Sequence, residues 1–495
     1  MRIGDLMGSS GVTFGTSGAR GLAADMTDLV CYAYTAGFLR YLLAVGAVAP
    51  GAAVALAGDL RPSTGRIMAA CARAVVDLGF LPRHCGRIPS PAVAAYGIAH
   101  AIPSLMVTGS HIPDDRNGIK FNLPTGEILK ADEAGIRAQD VAIPPGVFDG
   151  AGWLAAGEPS ALPPEETAAY AAYVRRYLDF FPAGCLAGLR VGVYEHSSVA
   201  RGAYRAILGG LGAQVTRLGY SDRFIPVDTE AIRPEDLALA RDWAAEGAFD
   251  ALVSADGDGD RPLVADESGQ WLRGDIAGIL CARQLGVRAI VTPVSSNTAV
   301  ERCGWFEPVL RTRIGSPFVI EGMQQLSARG LAPVAGYEAN GGFLLETPVR
   351  RAGRTLAALP TRDAMLVALT ILLASREQGR PVSALAAALP ARFTHSDRIQ
   401  AFPSHISEAR IAALVSGDPG RDRSAVEAVF SAHFGPVAGL DTTDGLRITF
   451  ASGEIAHLRP SGNAPELRAY TEADSPARAA EMSAICMEVL AGWRG

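Results

Sequence analysis

Short runs of β-forming residues alternate with longer Ala/Leu-rich helical patterns along most of this chain, and that alternation limits its fold more than any other feature. Residues 53–57, 105–107, 189–194, 251–253, 289–292 and 332–335 read as strands. Residues 27–43, 63–78, 165–180, 203–211, 234–246 and 361–375 read as helices. Such alternation stacks helices on the faces of largely parallel sheets. After residue 391 the pattern changes: 425–434, 445–450, 454–459, 466–472 and 476–491 read as helix, three strands and helix, a helix-backed antiparallel sheet. A chain of 495 residues is too long for one core. Breaks at the turn 182–188, near Gly286 and over 380–392 divide it into segments 1–184, 185–287, 288–391 and 392–495.

Composition removes several functional classes. The formal charge of −6 offers no basic footprint for nucleic acid, although a local Arg/Lys cluster can still bind an anionic substrate. Seven scattered cysteines have neither metal-ligand spacing nor a disulfide pattern, as expected of reduced thiols in a cytoplasmic protein. The N-terminus lacks the apolar core of a signal peptide. The apolar stretches 29–39 and 364–374 are too short to span a bilayer and read as buried helices.

Two loops carry distinctive chemistry. Thr108-Gly-Ser-His-Ile-Pro-Asp-Asp-Arg-Asn-Gly-Ile-Lys120 follows the apolar run 105–107 and presents Ser110 as a nucleophile. It lacks the Gly-x-Ser-x-Gly elbow of an α/β-hydrolase. If the strand continued through Ser110, His111 would point to the opposite side, so ordering and catalytic roles both stay open for it. Ser254-Ala-Asp-Gly-Asp-Gly-Asp-Arg261 places Asp256, Asp258 and Asp260 where their carboxylates can converge on a hard cation such as Mg²⁺. An EF-hand is excluded, because Arg261 stands where that loop requires glycine and both flanks read as strands. An aspartyl-phosphate enzyme using Asp256 leaves the Ser110 loop unexplained. Gly336-Tyr-Glu-Ala-Asn-Gly-Gly342 offers a carboxylate and an amide for sugar hydroxyls. Arg459-Pro-Ser-Gly-Asn-Ala-Pro-Glu-Leu-Arg468 joins two β runs and carries the donors of a phosphate clamp. A serine that carries phosphate beside Mg²⁺ explains the first two loops together, so the chain reads as a phosphoryl-transfer enzyme.

With Phe14-Gly-Thr-Ser-Gly-Ala-Arg20-Gly21, these loops in this order resemble the α-D-phosphohexomutase family, of the phosphomannomutase/phosphoglucomutase type. The resemblance runs from about Thr13 to the C-terminus. It implies three consecutive α/β domains with mixed sheets, plus a smaller C-terminal α+β domain, around a central cleft. It makes Ser110 the phosphoserine, with Asp256, Asp258, Asp260 and the serine's phosphate holding Mg²⁺. Arg20, Lys120 and Arg261 would surround the transferring phosphoryl group, with Lys120 the first choice as general base and His111 and Arg20 behind it. Glu338 and Asn340 would bind sugar hydroxyls, and Arg459, Ser461, Gly462, Asn463 and Arg468 the distal phosphate.

Departures from the family pattern are specific. Gly109 and Ile112 replace an alanine and an asparagine beside the serine, and Asn340 replaces a serine in the sugar loop. Gly342 stands where some members carry a histidine proposed for proton transfer, and Asn463-Ala464 replaces a Thr-Glu pair. Glu195-His-Ser-Ser-Val replaces an Asp-x-x-Asn-Gly strand end, and His196 receives no role. The resemblance implies interconversion of hexose 1-phosphate and hexose 6-phosphate through a hexose 1,6-bisphosphate, for mannose and also for glucose. A Mg²⁺-dependent sugar-phosphate phosphohydrolase and a phosphoglucosamine mutase are the alternatives. The expected partners are small-molecule sugar phosphates, with neither nucleic acid nor membrane, and the sequence is silent on oligomeric state.

Overall fold

The computed structural model describes residues 1–15, 18–158, 162–461 and 465–494. They form two compact units, one of Met1–Ile290 with Gly315–Ala386 and one of Val291–Ile314 with Ala387–Gly495.

The larger unit opens with a mixed sheet whose centre is apolar on both faces. Its strands run in the order Thr13–Phe14, Ala19–Leu22, Arg116–Leu123, Ser104–Val107, Ala53–Gly58 and Leu81–His84. The last three are mutually parallel, whereas Arg116–Leu123 returns antiparallel to Ser104–Val107. Ser104–Val107 is wholly buried, which is why its sequence shows a continuous run instead of alternation. Helices Asp28–Ala44 and Thr64–Asp77 cover this sheet, and the Thr27 hydroxyl caps the first by accepting from Val30 N. The stretch Val30–Leu39 of this helix is buried throughout, as the apolar run implied.

A second sheet has the order Pro262–Ala265, Ala251–Ala255, Arg190–Tyr194 and Gln214–Leu218, antiparallel only at its first pair. Farther along, Val334–Tyr337 and Phe343–Leu345 form an antiparallel pair packed with helices Ser316–Ala328 and Ala364–Gln378. Ala364–Gln378 starts three residues later than residues 361–375 suggested. Asp363 takes its N-cap position, and its carboxylate accepts from the Tyr173 and Tyr177 hydroxyls. Among the described residues no helix is long and apolar enough to cross a membrane.

The smaller unit is built on a five-stranded antiparallel sheet in the order Phe393–Ile399, Leu467–Ala473, Ile455–Pro460, Leu446–Phe450 and Val437–Asp441. Helices Pro419–Phe434 and Pro476–Ala491 share its core. The two strands absent from the sequence reading are the two edges. Phe393–Ile399 is polar and mostly exposed, and Val437–Asp441 is broken by an irregularity between Val437 and Gly439, so neither shows strand periodicity.

A buried ion pair pins one edge of that unit. The 3 % exposed Arg392 donates to Glu472 Oε1 at 2.6 Å and to the Gly453 carbonyl at 2.8 Å. Glu472 also accepts from Thr298 N at 3.0 Å. Arg392→Met leaves that buried carboxylate without its counter-charge. Urea unfolding of this unit is expected to lose about 3–5 kcal/mol, the cost of breaking a buried pair from one side.

Candidate active site

Three hairpin loops of the larger unit carry the candidate side chains, each leaving the carboxyl end of a strand and returning antiparallel. The Ser110 loop lies between Ser104–Val107 and Arg116–Leu123, whose register pairs Val107 with Ile119 and Met106 with Lys120. Residues 256–261 join Ala255 to Pro262, and residues 338–342 join Tyr337 to Phe343.

Ser110 is fully buried and held at φ 58°, in the left-handed region that costs a residue with a Cβ. Local bonds hold it there. Its N–H donates to Thr108 Oγ1 at 2.7 Å, and its carbonyl accepts from Arg61 Nη2 at 3.1 Å. Its hydroxyl donates to Asp256 Oδ2 at 2.6 Å. The strand geometry expected to separate Ser110 from His111 does not apply at this turn, and Ser110 Oγ lies 3.4 Å from His111 Nδ1. Arg261 Nη1 donates to that same nitrogen at 3.0 Å, which puts the imidazole proton on Nε2, 3.9 Å from Asp228. Burial, reinforced by the charge of Arg261, lowers the His111 pKa to about 3, so the ring is neutral at physiological pH.

Asp256, Asp258 and Asp260 are all buried, with carboxylate oxygens within 4.8 Å of one another. Burial, then the charges of Asp258 and Asp260, push the Asp256 carboxyl well above its usual range. Burial acts on Asp260 in the same sense, but Arg362, Lys120 and Arg261 outweigh it and hold Asp260 well below the usual range. Lys120 Nζ donates to Asp258 Oδ2 at 2.6 Å and to Asp260 Oδ2 at 2.5 Å. Asp258 Oδ1 and Asp260 Oδ1 are buried without a hydrogen-bond partner. Orphaned anionic oxygens this close together suit a hard divalent cation, and this triad can hold one. Arg20, on strand Ala19–Leu22, lies in the same field: burial, with Arg261 and Arg362 adding to it, lowers its pKa to about 10. The Asp loop is braced from behind by Ser198 Oγ, which donates to the Asp256 carbonyl at 2.7 Å, and by His196 Nε2, 2.7 Å from the Ala255 carbonyl. His196 is thus a structural residue.

In the third loop, Glu338 Oε2 accepts from Arg362 Nη1 at 3.2 Å. Asn340 Oδ1 accepts from Gly342 N at 2.9 Å, so its amide oxygen closes the loop and its NH₂ is the group left for a ligand. In the smaller unit, Arg459 and Arg468 are cross-strand partners, held by Asp444 at 2.9 Å and by Glu466 at 3.0 Å respectively. Ser461 is buried at the start of the turn between them, and Gly462 and Asn463 lie outside the described residues.

Sequence reasoning missed three arginines. Arg398 sits directly across from Arg468, which makes a row of three guanidinium-bearing positions with Arg459. Its strand was not read, so the pairing had no signal. Arg362 was assigned to a helix that starts after it. Arg61 follows Asp59 at the carboxyl end of Ala53–Gly58, beside the parallel strand that leads to Ser110, and that adjacency was the available signal. It is 1 % exposed, pairs with Asp59, donates to the carbonyls of Ser110 and Ile112, and lies 4.1 Å from the centroid of the Phe224 ring. Gly109 makes room for it: a Cβ there would meet Arg61 Cζ at 2.8 Å. Restoring the alanine usual in related loops, Gly109→Ala, is therefore expected to displace Arg61 and cost about 1–3 kcal/mol of overpacking in thermal unfolding.

Profiles described as phosphoglucomutase/phosphomannomutase match residues 11–140 (alpha/beta/alpha domain I), 273–393 (alpha/beta/alpha domain III) and 412–489 (C-terminal domain). The chain is 45 % identical over 480 residues to a phosphomannomutase of Sinorhizobium fredii, covering 97 % of this chain and 99 % of that protein. It is 43 % identical over 478 residues to a phosphomannomutase of Salmonella muenchen, covering 95 % and 94 %. A crystal structure of a phosphoglucomutase/phosphomannomutase family protein from Burkholderia thailandensis shares the fold, with a TM-score of 0.70 at 20 % identity over 97 % of this chain and 96 % of that one. Ser110 against the carboxylate triad, the order of the loops and this level of identity agree, and the chain belongs to the phosphoglucomutase/phosphomannomutase family, the α-D-phosphohexomutases.

Proposed function

We propose that this protein is a phosphohexomutase that interconverts hexose 1-phosphate and hexose 6-phosphate, for mannose and also for glucose, by way of phospho-Ser110 and a bound hexose 1,6-bisphosphate. The observation that carries this reading is the 2.6 Å contact between the Ser110 hydroxyl and Asp256, which sets the candidate nucleophile against a buried carboxylate triad. Two relatives above 40 % identity and named phosphomannomutases support the sugar.

In the forward half-reaction the bond between phosphorus and Ser110 Oγ breaks while a bond forms from phosphorus to the free hydroxyl of the sugar monophosphate. After the bisphosphate turns end over end, its other phosphoryl group returns to Ser110. Asp256, Asp258, Asp260 and the serine's phosphate would hold Mg²⁺, which when bound supplies positive charge to the phosphoryl oxygens. Arg20, Lys120 and Arg261 surround the transferring group, and Lys120, once its ammonium has given up a proton, is assigned the proton of the attacking hydroxyl. His111 is a weak acceptor, since its pKa of about 3 opposes protonation. Glu338 and the Asn340 amide bind hydroxyls shared by mannose and glucose. Arg459, Ser461, Gly462, Asn463 and Arg468 are assigned the distal phosphate on the donors they offer.

We divide the chain at 1–184, 185–287, 288–391 and 392–495, so that each segment contributes one of these loops. A cytoplasmic setting fits seven unpaired thiols and phosphorylated sugar substrates.

Three measurements test this reading. Mass spectrometry of purified protein is expected to find phosphate on Ser110, and Ser110→Ala to lose at least about three orders of magnitude in turnover, as for removal of a covalent nucleophile. Near-normal turnover by the alanine variant ends the phosphoserine reading. A panel of sugar 1-phosphates, primed with glucose 1,6-bisphosphate and Mg²⁺, is expected to turn over mannose and glucose 1-phosphates and to leave glucosamine 1-phosphate poor. Release of inorganic phosphate in step with turnover points to a phosphohydrolase, and a preference for glucosamine 1-phosphate moves the enzyme within its family.

A further inference from the structure

Gly342 leaves a volume where some family members carry a histidine, and in this chain Arg362 fills it. A Cβ built on Gly342 would lie 2.4 Å from Arg362 Cδ and 2.6 Å from Cγ. From that seat the guanidinium reaches two loops. Nε donates to Asp260 Oδ2 at 3.0 Å, and Nη1 donates to Glu338 Oε2 at 3.2 Å. Arg362 is 1 % exposed, and Glu338 is 4 % exposed. The backbone beside it is fixed as well, because Asp363 N donates to the Phe343 carbonyl at 2.9 Å while the Asp363 carboxylate accepts from Tyr173 and Tyr177.

We propose that Arg362 is the positioning residue of the sugar loop: it orients the Glu338 carboxylate and ties it to the Asp260 loop, in the space that a side chain at 342 would occupy. This rests on the sugar-binding role proposed for Glu338. A buried glutamate can turn about its own torsions, and a sugar's hydroxyls are read accurately only if the carboxylate is held. A planar guanidinium offers donors in fixed directions and can hold two carboxylates at a set separation, which a lysine's single nitrogen cannot do with the same geometry. The brace therefore sets Glu338, and with it the bound sugar, relative to the carboxylates that face Ser110.

The packing half of the proposal is tested without turnover, by thermal unfolding of metal-free Gly342→Ala, Arg362→Ala and the double variant. Gly342→Ala alone is expected to lower the midpoint, and on the Arg362→Ala background the same methyl is expected to cost less, because Asn340 Oδ1, 3.1 Å away, is then the nearest atom that crowds it. Additive shifts overturn the shared-volume claim. The positioning half is read from steady-state kinetics with mannose 1-phosphate. Arg362→Ala is expected to raise KM about 10- to 100-fold, the worth of a charge-assisted hydrogen bond, and to lower kcat as well. Arg362→Lys should recover only part of both, and it carries the test if the alanine variant does not fold. Glu338→Gln is the reference. If it raises KM while Arg362→Ala and Arg362→Lys leave KM unchanged, positioning by Arg362 is wrong and the role of Glu338 stands. If Glu338→Gln leaves KM unchanged, the sugar-binding reading itself fails, and the positioning claim fails with it.

Discussion

Burying three carboxylates with oxygens within 4.8 Å of one another is the constraint on which the rest of this site depends. Left alone, Asp256, Asp258 and Asp260 would repel each other and bind protons, the state toward which Asp256 is already pushed. The fold supplies the opposing charge from elements far apart in sequence. Lys120 comes from the strand that follows the Ser110 loop, Arg261 from the Asp loop itself, and Arg362 from the segment before a helix about a hundred residues later. Each cation is buried or nearly so, and would be costly there without its partners. The triad and its cations therefore fix one another, and the loops that carry them must meet for either set to be stable.

The common geometry of those loops makes that meeting possible. Each leaves the carboxyl end of a strand and returns antiparallel, so its tip projects beyond the sheet edge while both flanks stay in the ladder. Ligands in α/β proteins gather at such strand ends. The hairpin adds rigidity that a loop entering a helix would lack. It also explains how Ser110 tolerates a left-handed backbone: Thr108, one residue beyond the end of the strand, accepts its N–H, and Arg61, one residue beyond Asp59 and Leu60 on the parallel neighbour, holds its carbonyl. Thr108 Oγ1 and Arg61 both donate to Asp59, so one buried aspartate supports both restraints.

What could be read from the sequence divides along physical lines. The nucleophile and the triad were legible, because their chemistry depends on residue types at short spacing within one loop. The strands that deliver them were legible from continuous apolar runs, since strands buried on both faces give that pattern. Arg61 and Arg362 were not, because a cation is assigned to a site by what it meets in space, and their partners lie 49 and 102 residues away in sequence. Reading residues 361–375 as one helix placed Arg362 on a helical face, whereas Asp363 spends its carboxylate on two tyrosines and the helix starts after it. Arg398 was hidden for a related reason. Its strand is a polar sheet edge, and without that strand the register that sets it beside Arg468 cannot be deduced.

Charge counting links the state of Ser110 to the cation its site can hold. Four cationic side chains, Arg20, Lys120, Arg261 and Arg362, share this part of the unit with four carboxylates, Asp256, Asp258, Asp260 and Glu338. Within that set the formal charges cancel, with Asp228 and Glu127 adding negative charge nearby, and the buried pair of Arg61 and Asp59 cancels within itself. A phosphate on Ser110 adds about −2. In a buried site that excess has little solvent to screen it, and the protein's own cations are already committed to carboxylates. A divalent ion cancels it, and the buried oxygens of Asp258 and Asp260 that lack hydrogen bonds are acceptors for such an ion. Phosphorylation of Ser110 and binding of a divalent cation would therefore favour each other, since each supplies the charge that the other needs.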